Sequence, residues 1–353
     1  MLFSQIIFKA VVRTFWIIIF NIFYYLYIIF HFLLTKYIIF LCLCILSLCF
    51  FYEPDAILIN FILMDHVSLS NFKFRVPMTK EDFSSWLTGC MDADGHITRD
   101  GSILIDFNRK NSMLVNYLHM RLGVGEIISI ETDRKLHIRL VIDDLEHVSI
   151  ILDLINGQIR TERLHTDFTH LIRVNPIMSC KPLDTSLNFD NYWLSGFIDC
   201  DGSVQWFMSK FGEKLVCKPN FKITQASHPI LNRIQSYFGV GGVYLNANHD
   251  REYRCYDYRI SSVRDIHHIH NYLGKYPLLG FQLINYLFSL RNYEIVKSKA
   301  HFTPEGASEL IENKSKTGNS LTLDTIKTLH PLIISSELYK VDPIIKVNDA
   351  SKD

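Results

Sequence analysis

The sequence predicts an α+β fold in which one structural unit occurs twice, preceded by an apolar helical leader. The segment 86–95, WLTGCMDADG, recurs at 193–202 as WLSGFIDCDG, with Trp, Leu, Gly, both Asp and the final Gly retained. A second repeated segment follows each copy: Gly-Val-Gly occurs at 123–125 and again at 239–241. Two matches in the same order indicate an internal duplication.

Each copy is predicted to run helix, two strands, helix, two strands, helix. The first motif helix begins near Thr79, which precedes Asp82 by three residues as a capping residue would, and it ends at Asp94-Gly95. Hydrophobic periodicity predicts the other elements of the first copy as strands at 102–107, 127–131 and 136–142 and helices at 112–122 and 145–155. The second copy is predicted to have strands at 216–224, 243–246 and 256–261 and helices at 230–238 and 266–273.

The second copy is also predicted to contain a longer hairpin. The second Asp of the motif and the first glycine of the Gly-Val-Gly segment are 29 residues apart in copy one (94 to 123) and 38 apart in copy two (201 to 239). The nine extra residues fall within 205–219. The predicted domains are a leader at 1–70, a first repeat at 76–176, a linker at 177–189, a second repeat at 190–330 and a tail at 331–353.

The leader is strongly apolar and leaves two interpretations open. Residues 14–34 form an uncharged run long enough to span a bilayer as a helix, and residues 37–52 form a second, shorter run. A membrane anchor through residues 14–52 is one interpretation. The other is an upstream exon translated in frame, because an AT-rich reading frame encodes the same bias toward Phe, Ile, Leu and Tyr.

Composition excludes several classes of protein. Hydrophobic residues make up 48% of the chain and charged residues 20%, which excludes a wholly disordered protein. The eight cysteines include no C-x-x-C pair, which argues against a disulfide scaffold or a structural zinc module. The 36 basic residues balance the 36 acidic ones, which argues weakly against a simple electrostatic nucleic-acid binder.

The motif itself predicts a close pair of helices with two carboxylates at one end. Small residues on the motif helices would let their backbones approach each other: Thr88, Gly89, Ser195 and Gly196. Asp94 and Asp201 would then emerge together at two helix C-termini, which is unfavourable unless a cation lies between them. Carboxylate oxygens suit Mg²⁺, and Mg²⁺ supports phosphodiester cleavage. Asp92 and Asp199 are predicted to point elsewhere and to cap backbone amides.

The two motif copies resemble those of the single-chain LAGLIDADG homing endonucleases encoded in organellar introns. The resemblance rests on 87–95, LTGCMDADG, and 194–202, LSGFIDCDG, and it covers about 78–321. Other segments that resemble the family are LINGQIRT at 154–161, KPLDTS at 181–186, KYPLL at 275–279 and HFTPEG at 301–306.

The resemblance implies a fold and a set of site residues. The fold is a pseudo-twofold αββαββα pair whose antiparallel sheets form a saddle over the DNA major groove. Asp94 and Asp201 would bind Mg²⁺ (or Mn²⁺), with the carbonyl groups of Ala93 and Cys200 as further donors. Polar or basic residues beside the acids correspond by position to Arg109, Gln225, Arg163 and Gln282. Gln282 departs from the family, where that residue is basic, which puts the rate at one strand in doubt.

The DNA surface is predicted to be one face of each sheet, because side chains alternate along a strand. Basic residues in the groove both neutralise phosphates and read bases. The candidates on the predicted hairpins are Arg134, Lys135, Arg139, Lys210, Lys214, Lys218, Lys222, Arg251, Arg254 and Arg259.

The resemblance predicts a monomeric, intron-encoded endonuclease, located in a mitochondrion, that cuts double-stranded DNA at one long asymmetric site. The alternative is an RNA maturase that assists splicing of its own host intron, with weak or no DNA cleavage. A third interpretation is a membrane-associated binding protein in which the nuclease fold is a relic; the leader favours it, and the paired acids argue against it.

Overall fold

The protein is described, in a computed structural model, over residues 79–132, 135–174, 178–211, 214–246, 254–327 and 343–345. The predicted leader lies outside the described residues, as do Arg134, Arg251 and the side chains of Lys135, Lys210 and Lys214. No helix of these described segments is long and apolar enough to cross a bilayer.

The first repeat contains four helices and four strands. They are α1 (Lys80–Asp94), β1 (Gly95–Ile97), β2 (Ile103–Asn108), α2 (Ser112–Leu122), β3 (Glu126–Thr132), β4 (Lys135–Ile142), α3 (Leu145–Ile155) and α4 (Glu162–Val174). The predicted cap is present, because the Oγ1 atom of Thr79 accepts a hydrogen bond from the N–H of Asp82 at 3.0 Å. Strand β1 has only three residues, too few for a pattern of alternation to reveal it.

The second repeat follows the same order and adds one helix at its end. Its elements are α5 (Trp193–Asp201), β5 (Gly202–Phe211), β6 (Lys214–Gln225), α6 (His228–Phe238), β7 (Gly242–Leu245), β8 (Tyr256–Ile260), α7 (His267–Lys275), α8 (Gln282–Lys297) and α9 (Pro304–Ser315). The predicted helix and strand limits in both repeats agree with the observed ones to within two residues. The predicted α+β duplication is therefore confirmed.

Each repeat forms one four-stranded antiparallel sheet, and both sheets have the same strand order. The first sheet is ordered β1-β2-β4-β3 and the second β5-β6-β8-β7. The longer hairpin of the second copy is also present, because β5 pairs with β6 at ten positions whereas β1 pairs with β2 at three. Buried residues alternate with less buried ones in both sheets, as at Ile103, Ile105 and Phe107 of β2, so each sheet has one core face and one open face.

The repeated Gly-Val-Gly segments owe their glycines to backbone conformation. Helices α2 and α6 end at Gly123 and Gly239, which adopt φ values of +79° and +68°. Gly125 and Gly241 follow with φ values of +97° and +77°. A side chain is strained in this left-handed region, so glycine both ends the helix and turns the chain into β3 or β7.

The two motif helices, α1 and α5, pack backbone against backbone. A Cβ atom added at Gly89 would collide with the carbonyl oxygen of Trp193, and one added at Gly196 would collide with that of Trp86. Thr88 and Ser195 are fully buried, and their hydroxyls donate to carbonyls of their own helices, Ser84 and Tyr192. Small residues at these positions therefore allow a helix contact that larger side chains would prevent.

A reciprocal pair of tryptophan–aspartate hydrogen bonds crosses the same interface. The Nε1 atom of Trp86 donates to Asp199 at 3.1 Å, and that of Trp193 donates to Asp92 at 2.9 Å. Both carboxylates also accept backbone N–H groups, from residues 160 and 161 for Asp92 and from residues 279 and 280 for Asp199. The interpretation of Asp92 and Asp199 as caps for backbone amides is thus confirmed, and each also joins one repeat to the other.

Helices α8 and α9 cover the long hairpin of the second sheet. Trp206, Met208 and Cys217 on the core face of that hairpin are buried together with Ile295 of α8 and Leu310 of α9. The Nε1 atom of Trp206 donates to the hydroxyl of a serine on α8 at 2.8 Å. The extra length of the hairpin therefore has a matching extra layer of helix behind it.

We expect Gly89→Ala and Gly196→Ala to lower the free energy of unfolding by about 3 kcal/mol each, because the added methyl group meets a backbone carbonyl that cannot rotate away. Gly274→Ala is the matched control: this glycine also lies within a helix, but its Cβ would be 3.8 Å from the nearest atom, the hydroxyl of Tyr286. Urea unfolding of the three variants checks this. Equal stabilities for all three would contradict the packing.

We expect Trp86→Phe and Trp193→Phe to destabilise the protein by about 1–3 kcal/mol each, because each removes one of the hydrogen bonds that a buried carboxylate accepts. Trp206→Phe is the control, since its N–H bonds a neutral hydroxyl, and we expect a loss of about 0.5–1.5 kcal/mol. Thermal unfolding measures the difference; a larger loss for the control would refute the importance of the carboxylate bonds.

Candidate active site

The last residues of the two motif helices, Asp94 and Asp201, lie together between the two sheets. Both line a cavity of about 520 Å³ against the first sheet and a cavity of about 440 Å³ against the second. The first cavity is also lined by Asp106, Phe107, Asn108, Ile130, His137, Arg139 and Cys200. The second is also lined by Ala93, Lys222, Thr224, Gln225, Ala226, Asn246 and Cys255. Each cavity thus combines the acid pair with the polar residues of one sheet.

The environment of the two acids disfavours their ionised forms. Burial raises the pKa of Asp94 to about 6, although the Arg163 guanidinium opposes this increase and Asp106 adds to it. Burial and the negative charge of Asp94 raise the pKa of Asp201 well above its usual range, against a hydrogen bond from Gln225. Two buried carboxylates that repel each other are the arrangement that a bound cation would stabilise.

Among the described residues, no three His, Cys, Asp or Glu side chains are grouped so that they could hold a metal ion. A hard divalent cation here would therefore take two carboxylates from the protein, and its other oxygen ligands from carbonyls, water or a phosphate. Mg²⁺ commonly binds in this way. Asp106 is close to the pair but is held by Arg139. The residues present therefore fit such an ion.

The sequence-predicted residues Arg163 and Gln282 occupy corresponding places in the two repeats. Arg163 donates to the carbonyl oxygen of Gly95, and the Nε2 atom of Gln282 donates to that of Gly202 at 2.8 Å. The motif places these glycines at equivalent positions, directly after the acids. The positive charge at the end of α1 is therefore replaced by a neutral amide at the end of α5.

Arg163 also caps the C-terminus of α1. Its Nη2 atom donates to the carbonyl oxygens of Met91, Asp92 and Ala93 at 3.0–3.2 Å, in the last turn of the helix. A guanidinium in this position opposes the negative end of the helix dipole. It also engages the carbonyl of Ala93, one of the two predicted additional metal donors.

Arg109 and Gln225 are not in corresponding places, although a gapless alignment of the two repeats on their Gly-Val-Gly segments pairs them. Gln225 is the last residue of β6, and its Nε2 atom donates to the carboxylate of Asp201. In the first sheet Ile105 pairs with Gly95, and in the second sheet Ile223 pairs with Gly202, so Ile105 and Ile223 are equivalent. Two residues further along each strand, Gln225 therefore corresponds to Phe107. Arg109 lies in the turn after β2 and lines neither cavity. The first repeat has two more residues between strand and helix, which the alignment did not include.

The predicted DNA-binding residues that the structure describes lie in or next to the inner strands. Arg139 and Arg259 project from the open faces of β4 and β8, and Lys218 and Lys222 from that of β6. Lys218 and Arg259 are exposed, as is Arg254 just before β8. All four strand residues lie on faces that the helices leave uncovered, which agrees with the predicted surface.

Sequence reasoning missed two residues, one that lines the first cavity and one that is buried behind the motif helices. Asp106, at an open-face position of β2, pairs with Arg139 in the first cavity. The side chain of Asn111 donates to the carbonyl of Asp199 and accepts from the N–H of Phe281. Alternation along β2 would have revealed Asp106. No local signal would have revealed Asn111, because its partners lie 88 and 170 residues away.

Comparison with known proteins identifies several relatives. Residues 194–292 match the family model described as LAGLIDADG endonuclease. An uncharacterized cox1 intron-2 protein of Schizosaccharomyces pombe is 26% identical over 257 residues, covering 71% of this chain and 77% of that protein. The intron-encoded DNA endonuclease aI3 and the intron-encoded RNA maturase bI4 of Saccharomyces cerevisiae are each 26% identical, covering 38% and 46% of this chain but only 39% and 25% of those proteins.

Solved structures share the fold. The I-LtrWI LAGLIDADG homing endonuclease bound to target DNA aligns with a TM-score of 0.54 at 17% identity, covering 69% of this chain and 99% of that one. I-SmaMI, bound to an uncleaved DNA target in the presence of calcium ions, aligns with a TM-score of 0.51 at 20% identity, covering 66% and 98%. At these identities the likeness establishes the architecture and leaves the chemistry to the residues of the site.

We expect the cation-free protein to lose stability as the pH rises from about 4 to about 7. The pKa values of Asp92 and Asp94 are raised to about 6 and that of Asp199 to about 7, so the folded state holds protons that the unfolded state releases above its lower pKa. The contribution of Asp94 alone is on the order of 3 kcal/mol.

Mg²⁺ should reverse part of this loss, because it favours the ionised forms of Asp94 and Asp201. Urea unfolding at pH 5.0 and pH 7.5, in EDTA and in Mg²⁺, checks the prediction. The expected stabilisation by Mg²⁺ is larger at pH 7.5 and disappears in Asp94→Asn. A Mg²⁺ effect of equal size at both pH values would contradict it.

Proposed function

We propose that the chain is an intron-encoded homing endonuclease of the LAGLIDADG family, whose model residues 194–292 match, and that it makes a site-specific double-strand break in DNA. The observation that carries this proposal is the pairing of Asp94 and Asp201 between two open sheet faces that bear basic side chains. A duplex on those faces would bring its phosphates to the acid pair. The reaction class is metal-assisted hydrolysis of a phosphodiester.

The ion that suits this site is Mg²⁺ (or Mn²⁺), held by Asp94 and Asp201 with the carbonyls of Ala93 and Cys200 as further donors. A divalent ion in such a site lowers the pKa of a water molecule and stabilises charge on the phosphate oxygens. The amide of Gln225 orients the carboxylate of Asp201 through its hydrogen bond. The buried position of both acids limits the access of bulk water, which strengthens their interaction with a cation.

The two strands of the target would be cut in different surroundings. Beside Asp94, Arg163 supplies a positive charge at the helix end. Beside Asp201, the corresponding residue is the neutral Gln282, which also accepts a hydrogen bond from the amide of Asn285 and is held in a buried network. Unequal rates on the two strands therefore belong to the proposed function.

The chain would act as a monomer, because its two repeats already supply both acids. We place it in a mitochondrion, as the intron-encoded relatives from yeasts suggest. Its proposed partner is one long, asymmetric double-stranded site, since the polar residues of the two sheets differ.

A second candidate function is an RNA maturase that assists splicing of the host intron. One observation favours it, the similarity to the maturase bI4. In the endonuclease the acid pair serves DNA cleavage, whereas in the maturase the chain binds its intron RNA and cuts DNA weakly or not at all. A purified chain that retains its intron RNA specifically, but does not cut the intronless junction of its host gene, would identify the maturase.

We expect Asp94→Asn and Asp201→Asn to abolish cleavage and to leave DNA binding largely unchanged, because each removes one carboxylate from the acid pair and neither alters an open sheet face. Asp153→Asn is the control, since Asp153 is exposed on α3. The assay is cleavage of DNA carrying the intronless junction, in Mg²⁺ and in EDTA. Cutting by either site variant at the wild-type rate would refute the proposed role of the acids.

A further inference from the structure

The basic residues on the open sheet faces and directly before β8 are of two kinds, those held by a carboxylate and those without one. Arg139 on the first sheet is held by Asp106, and Arg259 on the second is held by Asp257. Lys218 and Arg254 are exposed and have no ion pair or hydrogen bond with any residue that the structure describes. This difference separates the roles that the basic residues can have on DNA.

Arg139 is fixed by a two-point contact across neighbouring strands. Asp106 of β2 and Arg139 of β4 face each other in register. The Nε atom of Arg139 donates to one carboxylate oxygen at 2.6 Å and its Nη2 atom to the other at 2.8 Å. Both side chains are about 30% exposed, so the pair is reached from the open face. The Nη1 atom has no acceptor within the described part of the chain and remains available to a ligand.

Arg259 is fixed in a different way but to the same effect. Its Nε and Nη2 atoms both donate to Oδ2 of Asp257, two residues earlier on β8. Asp257 is fully buried, and its other oxygen accepts from Thr224 at 2.7 Å and from Asn246 at 3.2 Å. Arg259 itself is 44% exposed. An immobile carboxylate thus holds one edge of an accessible guanidinium.

The two fixed carboxylates occupy the same row of their sheets. Strand register aligns Ile105 with Ile223, so Asp106 corresponds to Thr224. Asp106 of β2 pairs with Arg139 of β4, and the equivalent pair in the second sheet is Thr224 of β6 with Asp257 of β8. The carboxylate therefore lies in the same cross-strand pair of both sheets, but on β2 in the first and on β8 in the second. Burial favours protonation of Asp257, but the bonds from Thr224 and Arg259 prevail and lower its pKa, so it stays ionised.

A carboxylate beside an arginine changes what the arginine can bind. A phosphate that approached Arg139 or Arg259 would also approach the carboxylate, and the two anions would repel each other. The pair has little net charge, so it would release few counterions on binding. A guanine edge in the major groove presents O6 and N7, which are neutral acceptors matched to two parallel N–H donors. Fixing the guanidinium in one orientation also reduces the entropy lost on binding.

We propose that Arg139 and Arg259 each read a guanine in the target, one in each half-site, whereas Lys218 and Arg254 neutralise phosphates. This inference rests on the proposed function, because it assumes that the open faces contact a DNA duplex. It assigns sequence preference to two positions and places the acidic partners, Asp106 and Asp257, as positioning residues.

The test is binding of the full-length chain to double-stranded DNA in EDTA, so that no cutting interferes. A site is selected from a randomised library, and binding is then measured for all single base-pair substitutions over a range of salt concentrations. We expect Arg139→Lys and Arg259→Lys to retain the wild-type salt dependence. Each should lose preference for guanine at one base pair, by roughly 5- to 150-fold, and the two base pairs should lie in opposite half-sites.

Arg254→Ala is the matched arginine control and Lys218→Ala the lysine control. Each should weaken binding to all sequences about equally and reduce the slope of log affinity against log salt by about one. Asp106→Asn should have the opposite effect on the salt slope, because it leaves the positive charge of Arg139 without its carboxylate partner. The slope of log affinity against log salt should become steeper by about one, and the guanine preference should weaken. Thermal unfolding verifies that each variant is folded.

The inference would be overturned if Arg139→Lys and Arg259→Lys kept every base preference, or if Arg139→Ala and Arg259→Ala reduced the salt slope as Arg254→Ala does. Those results would identify all four arginine and lysine positions as phosphate contacts. They would leave the endonuclease proposal intact, because the wild-type chain would still have selected a site. Selection of no sequence at all by the wild-type chain would reject the proposed function together with this inference.

Discussion

The contact between helices α1 and α5 is the constraint on which the rest of the structure depends. At Gly89 and Gly196 the two backbones pack against each other with no side chain between them. The reciprocal bonds of Trp86 and Trp193 to Asp199 and Asp92 hold this contact from both sides. Because each helix ends directly in the first strand of its sheet, the same contact sets the relation of the two sheets.

That arrangement has an electrostatic cost at one end. Two helix C-termini and two carboxylates meet there in a buried site, where burial raises the pKa of both acids and the charge of Asp94 raises that of Asp201 further. The Arg163 guanidinium lowers the pKa of both acids, but its hydrogen bonds cap only the end of α1. The close packing at the glycines therefore brings two buried carboxylates together, and a bound cation would stabilise this pair.

The two repeats share a frame but differ in their polar groups. The hairpin of the second sheet is longer and is covered by α8 and α9. Arg163 in the first repeat is equivalent to Gln282 in the second. The Asp106–Arg139 pair of the first sheet is likewise equivalent to Thr224 and Asp257 of the second. An unchanged frame with different surface groups is what recognition of an asymmetric ligand requires, since packing constrains the core and not the open faces.

The sequence by itself determined the duplication, the order of the elements, the limits of most helices and strands, and the position of the acids, because these depend on local periodicity and on repeated motifs. The structural roles of Asp92 and Asp199 were also readable from the two-residue spacing. Only the tertiary structure decided that Gln225 corresponds to Phe107 and not to Arg109, because strand register is set across the sheet and a two-residue insertion is invisible in a gapless alignment. Only the tertiary structure likewise distinguished arginines held by carboxylates from free basic residues, since Asp106 and Arg139 are 33 residues apart and meet only when β2 pairs with β4.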